Sequence, residues 1–306
     1  MNSHRLIFII LFFIFYAFAG SGPYKCAIAS DYQSQPDPGS DSEDKSDPEG
    51  NDTIEADFRS FPLTSLKSGQ GEAEIFEYSL RYSRDFKVCN KLPVKFALTQ
   101  SYVDVEDNTN LDIPPYLVGL KFDVETTLPF FKLRHIYFRS GISPSFYSGE
   151  WHINGSTFRM PSRYFLIFHP DNVWTFICGL AVYPDYERQV LPIAGFIYKP
   201  NDKIEFYLLP QRPNISYFLS ERLRLFIEGD LLSNEFEVTK DDSNGTVLTY
   251  KRGYLSLGTE LKINRDAKAS VSFGESFGRY LKYRDAPGKL SLRNSFCAEL
   301  RFQVSM

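Results

Sequence analysis

The chain has 306 residues, a length that suits one or two ordinary domains and that an all-β barrel can use as one. Aromatic residues make up 16% of it, with 28 Phe and 19 Tyr, and these residues favour β-strands and form the girdles of membrane barrels. The net charge of -4 gives no global electrostatic reason for binding nucleic acid, so we expect no nucleic-acid partner.

The N-terminal residues predict export from the cytoplasm. Arg5 precedes a continuous apolar run from Leu6 to Phe18, and Ala17 and Ala19 supply the small residues of a cleavage site. These are the parts of a secretory signal peptide, which we assign to residues 1–19. The apolar run is shorter than the roughly 20 residues that a membrane-spanning helix needs. We therefore expect cleavage rather than anchoring.

Residues 20–71 are predicted to be a disordered acidic linker. Asp, Glu, Ser, Pro and Gly dominate most of this segment, and almost no apolar residues interrupt them between positions 30 and 57. Such a segment cannot bury enough apolar surface to offset the entropy that ordering would cost. Residues 58–71 are ambiguous between the linker and a lead into the first strand. The folded domain is placed at residues 72–306.

The folded domain reads as a succession of β-strands. Between residues 190 and 236, turn-forming clusters at Pro200–Asp202 and Pro210–Pro213 separate short alternating runs, with no room for a helix. Asn244 and Gly245 signal a hairpin, because a type I′ turn needs positive φ at both central residues. The predicted fold class is all-β, an antiparallel up-and-down transmembrane β-barrel of roughly 10–12 strands.

The polar faces of these strands carry charges of both signs. In the strand that begins at Arg222, for example, Leu223, Leu225 and Ile227 alternate with charged residues, and Phe226 is the one break in the pattern. A soluble sandwich has the same period, but the export signal and the strands of about ten residues favour a membrane barrel with its charges inside. The residues predicted to face the lumen are Arg222, Arg224, Glu228, Asp230, Glu260, Lys262, Lys268, Glu299 and Arg301.

The sequence predicts neither a catalytic site nor a metal-binding site. Residues 274–278 match the G-x-S-x-G nucleophile motif around Ser276, but the flanking residues are strand-like and no histidine follows in the chain. We therefore predict that the protein is not an enzyme and uses no cofactor or metal. The four cysteines are isolated from one another and leave the question of a disulfide open; they are Cys26, Cys89, Cys178 and Cys297.

The central stretch resembles a family of uncharacterised bacterial outer-membrane β-barrel proteins. The Gly-bearing run Val190–Gly195 is followed by the turn of Tyr198–Asp202, then Leu208–Pro210, then Ile215–Tyr217. The resemblance extends over roughly residues 73–306 and implies a barrel in the outer membrane, but no activity. The chain departs from the usual pattern of such barrels because it ends on Met306 rather than on an aromatic residue.

These observations predict an outer-membrane, porin-like protein with a polar, charged lumen and a structural or small-solute transport role. Its expected partners are outer-membrane lipid and the barrel-assembly machinery, and its ligand is left open. Two alternatives remain. One is an outer-membrane lipid acyl hydrolase that uses Ser276 and a histidine at the lipid face. The other is an exported, soluble β-sandwich or barrel that binds a ligand.

Overall fold

The computed structural model describes residues 52–69, 71–88, 92–108, 113–131, 133, 135–149, 157–184, 186–187, 189–240, 243–284 and 289–306. The strands within these ranges belong to a single sheet. In this part of the chain, no helix is long and apolar enough to cross a membrane.

Seventeen strand segments follow one another along the chain. Their bounds are β1 Asp52–Ser65, β2 Glu72–Val88, β3 Leu92–Asp107, β4 Tyr116–Pro129, β5 Ile136–Ile142, β6 Ser145–Ser148, β7 Phe158–Arg159, β8 Ser162–Phe168, β9 Trp174–Val182, β10 Val190–Asn201, β11 Ile204–Leu208, β12 Asn214–Phe218, β13 Leu223–Lys240, β14 Ser243–Lys262, β15 Ala267–Tyr283, β16 Lys289–Ser291 and β17 Ser295–Ser305.

The segments form a closed barrel of 14 strands. Three of the strands consist of two segments each. One is β5 with β6, which both pair with β4. The others are β7 with β8, which pair with β6 and β5, and β16 with β17, which both pair with β15. Successive strands are antiparallel, and β1 pairs with both β2 and β17 to close the ring. The predicted antiparallel barrel is confirmed. The barrel has more strands than the predicted 10–12, and one strand that was not predicted is β1.

The barrel begins at Asp52 and not at residue 72. Residues 52–69 had been assigned to the disordered linker, yet β1 pairs along most of its length with its two neighbours, and Phe58 lies opposite both Tyr78 and Leu300. The alternation of Ile54, Ala56 and Phe58 with charged residues was present in the sequence, but the acidic composition before it hid the strand. The predicted signal peptide and the remainder of the linker lie outside the described residues.

The two ends of the barrel differ in their connections. At the end that we call the terminal end, Asp52 and Met306 exchange backbone hydrogen bonds of 3.2 and 2.7 Å. The last residues of β2, β4, β8, β10, β12 and β14 also lie there. The opposite end, which we call the loop end, contains the last residues of β1, β3, β6, β9, β11, β13 and β15. The hairpin of β13 and β14 pairs as far as Lys240 with Ser243, so Asn244 and Gly245 lie within β14 and not in the turn that the sequence predicted.

The outer face of the barrel is apolar and exposed. Leu225, Ile227, Leu255 and Leu257 are 40–62% exposed, and each alternates along its strand with a residue that points the other way. Aromatic rings follow one another across neighbouring strands at two levels. Towards the loop end, these are Phe58, Tyr78, Tyr102 and Tyr116, and towards the terminal end they are Trp174, Phe176, Tyr198 and Phe206.

Candidate functional site

Ion pairs between distant strands identify the inner face of the barrel. Arg252 on β14 donates to both carboxylate oxygens of Glu77 on β2, at 2.5 and 2.7 Å, although β15, β17 and β1 stand between these strands. Arg59 on β1 similarly lies 3.8 Å from Asp230 on β13. Such contacts can pass only through the lumen, and residues at alternate positions on the same strands share this face.

Glu77 is the first of two centres of this network. Its carboxylate accepts hydrogen bonds from Arg59 at 3.0 Å, from Arg252 and from the Tyr250 hydroxyl at 2.6 Å. Arg252 also donates to Asp230 at 2.9 Å. The guanidinium of Arg252 lies between two rings as well, 5.2 Å from the centroid of Tyr254 and 5.7 Å from that of Phe61. The network is therefore both charge-paired and packed.

Glu228 and Glu299 form the second centre. The carboxylate of Glu228 accepts from Arg212 at 2.8 Å, from Arg301 at 3.1 Å and from the Tyr254 hydroxyl at 3.1 Å. Glu299 accepts from Arg59 at 2.8 Å and also contacts Tyr254 at 3.0 Å. Both carboxylates are buried. Burying charges of both signs is tolerated because each is paired and hydrogen-bonded.

The residues that the sequence predicted for the lumen occupy three situations. Glu228, Asp230, Glu299 and Arg301 belong to the central network. Arg224 donates to Glu260 at 2.9 Å, and Lys268 lies 3.6 Å from the same carboxylate, on the wall nearer the terminal end. Lys262 lies opposite Lys268 at the end of β14, whereas Arg222 is exposed in the turn before β13. A transport role for any of them stays a prediction.

The charged residues of the network that sequence reasoning missed include Arg59, Glu77, Arg212 and Arg252. Arg59 fell within the assigned linker. Glu77 belongs to a polar face that is visible in the sequence, and this alternation could have identified it as a lumen-facing residue. Arg252 adjoins an irregularity in the register between β14 and β15, where strict alternation fails. Arg212 belongs to the turn between β11 and β12, and no strand pattern marks a turn residue as lumen-facing.

At the loop end the barrel is divided by a contact between opposite walls. Beyond Leu231, β13 leaves the wall beside β12 and meets β6, although β7 to β12 stand between them. Glu237 pairs with Ser148 in parallel, and the Gly149 amide donates to the Glu237 carbonyl at 2.8 Å. The rings of Phe236 and Tyr147 pack edge to face at 5.4 Å. We call this contact the seam.

An apolar cluster fills the part of the loop end that lies on one side of the seam. It consists of side chains from β1–β4, β6 and β13–β17 and their adjoining residues, and its centre is almost inaccessible to solvent. Its largest fully buried members are Phe61, Ile75, Leu117, Phe236, Leu248, Tyr250, Tyr254, Leu281, Leu290 and Leu292. This part of the loop end is therefore closed by packed side chains.

The inner wall on the other side of the seam is also apolar. Strands β8–β10 and the end of β11 contribute Phe165, Ile167, Ile177, Ala181, Ile193, Ile197 and Leu209. Gly179 is required within this wall, because a Cβ there would lie 2.5 Å from the Phe165 ring and 2.0 Å from the Tyr164 carbonyl oxygen. These strands are apolar on both faces, which explains their almost continuous apolar sequence.

The connection between β9 and β10 is attached to the seam. The Glu187 amide donates to the buried carboxylate of Glu235 at 3.0 Å, and Arg284 pairs with the same carboxylate. Tyr183 and Tyr186 pack ring against ring at 5.4 Å. Burial raises the pKa of the Tyr186 hydroxyl well above its usual value. The loop end is thus held by side chains from both sides of the seam.

The residues of the hydrolase alternative do not come together at the lipid face. Ser276 is fully buried and donates to the Ser295 carbonyl oxygen at 2.9 Å, so it does not face lipid. His135 and His169 lie at the terminal end, and His152 lies outside the described residues. Cys178 and Cys297 are free thiols. Within the described ranges, no group of three or more His, Cys, Asp or Glu residues could hold a metal ion.

Comparison with known proteins found similar barrels among solved structures. An outer-membrane channel from Pseudomonas putida F1 has a TM-score of 0.47 and 7% identity, covering 84% of this chain and 95% of its own. The KdgM porin gives 0.34 and 10%, over 82% and 99%. The Pseudomonas putida toluene transporter TodX gives 0.33 and 10%, over 85% and 89%. At such values the likeness does not extend to what these proteins transport.

No family model and no curated protein matches the chain. The resemblance to a family of uncharacterised outer-membrane barrels therefore stays a prediction. The antiparallel closed barrel itself follows from the strand pairing described above.

Proposed function

We propose that the protein is an outer-membrane β-barrel that passes small solutes through its polar lumen. One observation carries the proposal: the exposed face of the closed barrel is apolar, whereas the charged side chains are inside. A protein that stays in water rarely exposes so many large apolar side chains in one continuous surface. This inverted arrangement is typical of a barrel that faces lipid outside and water inside.

The exposure of the inner side chains changes along the lumen, and this change affects where a solute could pass. In the half nearer the terminal end, charged inner side chains such as Arg81 and Lys121 are 23% and 28% exposed. In the loop half, the inner side chains are packed, and the seam divides the barrel. The arrangement supports a channel that is open to water from the terminal end and narrowed at the loop end.

The proposal is tested by fractionating expressing cells and recording from the purified protein in planar lipid bilayers. We expect the protein in the outer-membrane fraction, a gel band that shifts on heating, and discrete current steps in the bilayer. Recovery in the soluble fraction, with no effect of heating, would overturn the membrane assignment. A membrane-inserted barrel that never conducts would leave a structural role in place of the channel.

A charge on the outer face should destabilise the barrel strongly. Leu257 is 62% exposed near the middle of the wall, so in Leu257→Arg a guanidinium would replace an apolar side chain in contact with lipid. We expect the free energy of unfolding in lipid to fall by about 2–4 kcal/mol. The control is Asp202→Arg in the exposed turn between β10 and β11, which should change it by less than about 0.5 kcal/mol. Equal effects would show that Leu257 does not face lipid.

The fold and the position of Ser276 bear on the two alternative functions. Of the exported, soluble binding protein, the sandwich form is wrong in its fold, because one closed barrel replaces two packed sheets. The soluble barrel form is decided by the cell fractionation described above. The hydrolase alternative required Ser276 at the lipid face, and the side chain is instead fully buried. Phospholipid hydrolysis by the purified protein that is lost in Ser276→Ala would restore it.

A further inference from the structure

We propose that Arg81, Lys121, Arg163 and Thr99 form an oxyanion-binding site on the inner wall, which selects solutes that carry a carboxylate or phosphate group. The proposal rests on the solute-channel function above and names the class of solute. None of these residues belongs to the central network around Glu77, Glu228 and Glu299.

Three cations from three strands converge on one carboxylate. The Lys121 ammonium lies 3.0 Å from Asp123, the Arg163 guanidinium 3.0 Å and the Arg81 guanidinium 3.7 Å. The Ser143 hydroxyl donates to the same carboxylate at 2.5 Å. Glu55 on β1 lies opposite Arg81, so a second anion at this place would meet three cations beside two carboxylates.

The cations are accessible, whereas the carboxylate lies beneath them. Arg81, Lys121 and Arg163 are 22–28% exposed, against 6% for Asp123. In the central network, by contrast, Arg252 is only 2% exposed and is closed in by its partners. The three cations can therefore contact an anion from the lumen while they keep Asp123, and no buried charge need lose its partner.

Thr99 places a hydroxyl just beneath the same surface. It lies on β3 opposite Arg81 on β2 and opposite Lys121 on β4, so it stands between the two cations. Its Oγ1 atom is buried and has no hydrogen-bond partner among the described residues. Guanidinium and ammonium groups beside a free hydroxyl are the donors that carboxylates and phosphates bind best.

The position of the site suits a solute that moves along the lumen. Lys121 lies opposite Ser145, and two residues further along β6 the Tyr147 ring packs at the seam. The cations therefore lie on the terminal side of the narrowed region. A solute entering from the terminal end meets them before it reaches the seam.

Equilibrium dialysis of the detergent-solubilised full-length protein against radiolabelled inorganic phosphate tests the site. We expect saturable binding of one phosphate per chain, and about tenfold weaker binding by Lys121→Gln. Lys121→Arg should retain binding. The matched control is Lys199→Gln, which removes a lysine that lies 3.4 Å from Glu205 on another wall and should leave the affinity within about twofold. Each variant must keep a heat-shifted band.

Each outcome decides the matter. Absence of saturable binding after full equilibration, or equal weakening by Lys121→Gln and Lys199→Gln, would overturn the proposal. Bilayer recordings of the same samples separate this result from the channel function. Conductance without phosphate binding would leave the channel and remove the site. Phosphate binding without conductance would leave the site and remove the channel.

Discussion

Gly149→Val is expected to separate the seam and raise the single-channel conductance several-fold. A Cβ at this position would lie 2.7 Å from Cγ1 of Val238 and 3.3 Å from Cγ of Pro114. Valine would therefore push β13 away from β6 and weaken the hydrogen bond from the Gly149 amide to Glu237. The overpacking should cost about 1–3 kcal/mol of stability, which the closed barrel can tolerate.

The control for this variant is Gly141→Ala on the other half of the same interrupted strand. A Cβ there would lie 3.4 Å from the Val124 carbonyl oxygen and 3.5 Å from the Glu125 side chain, so a methyl group nearly fits. We expect unchanged conductance in planar bilayers for this variant. If Gly149→Val inserts normally and conducts like the unaltered protein, then the seam does not limit passage.

The second large effect is expected from Arg252→Met. Loss of this guanidinium would leave Glu77 with Arg59 as its remaining charged partner and deprive Asp230 of its 2.9 Å ion pair. Breaking a buried pair from one side typically costs about 3–5 kcal/mol, because the remaining charge stays in a poorly solvated place. Urea unfolding in lipid should show this loss. Adding Glu77→Gln to the same chain should recover part of it.

Arg84→Met is the matched control for Arg252→Met. Arg84 pairs with Asp52 at 3.4 Å at the terminal end, but its side chain is half exposed. Water and salt screen such a pair, and its loss should cost less than about 1 kcal/mol. Equal effects of the two substitutions would mean that water reaches the central network freely.

The alternation of apolar and charged residues divided the side chains of β13, β14 and β17 between two faces. It could not predict which charges meet. Arg252 and Glu77 are 175 positions apart in sequence, and their contact depends on the closure and curvature of the whole barrel. The same holds for Arg301 and Glu228, which are 73 apart. Alternation assigns a side chain to a face but gives no information about the opposite wall.

Other parts of the fold were hidden by their local composition. β8, β9 and β10 are apolar on both faces, so alternation gave no clue to which side chains line the lumen. The seam depends on how far β13 continues beyond β12, which has only five residues. The length of each strand depends on how it pairs with its neighbours in the barrel. Turn residues in the sequence mark the ends of the strands only approximately.

The pairing of β1 with β17 has a consequence for how the chain folds. These strands stand at opposite ends of the described sequence, and Phe58 lies opposite Leu300. The other contacts between wall neighbours join strands near in sequence, but this one requires closure of nearly the whole chain, which costs entropy before any hydrogen bond repays it. Until it forms, both strands present unpaired edges. We therefore expect β1–β17 pairing to be a late, slow step, during which aggregation competes with barrel formation.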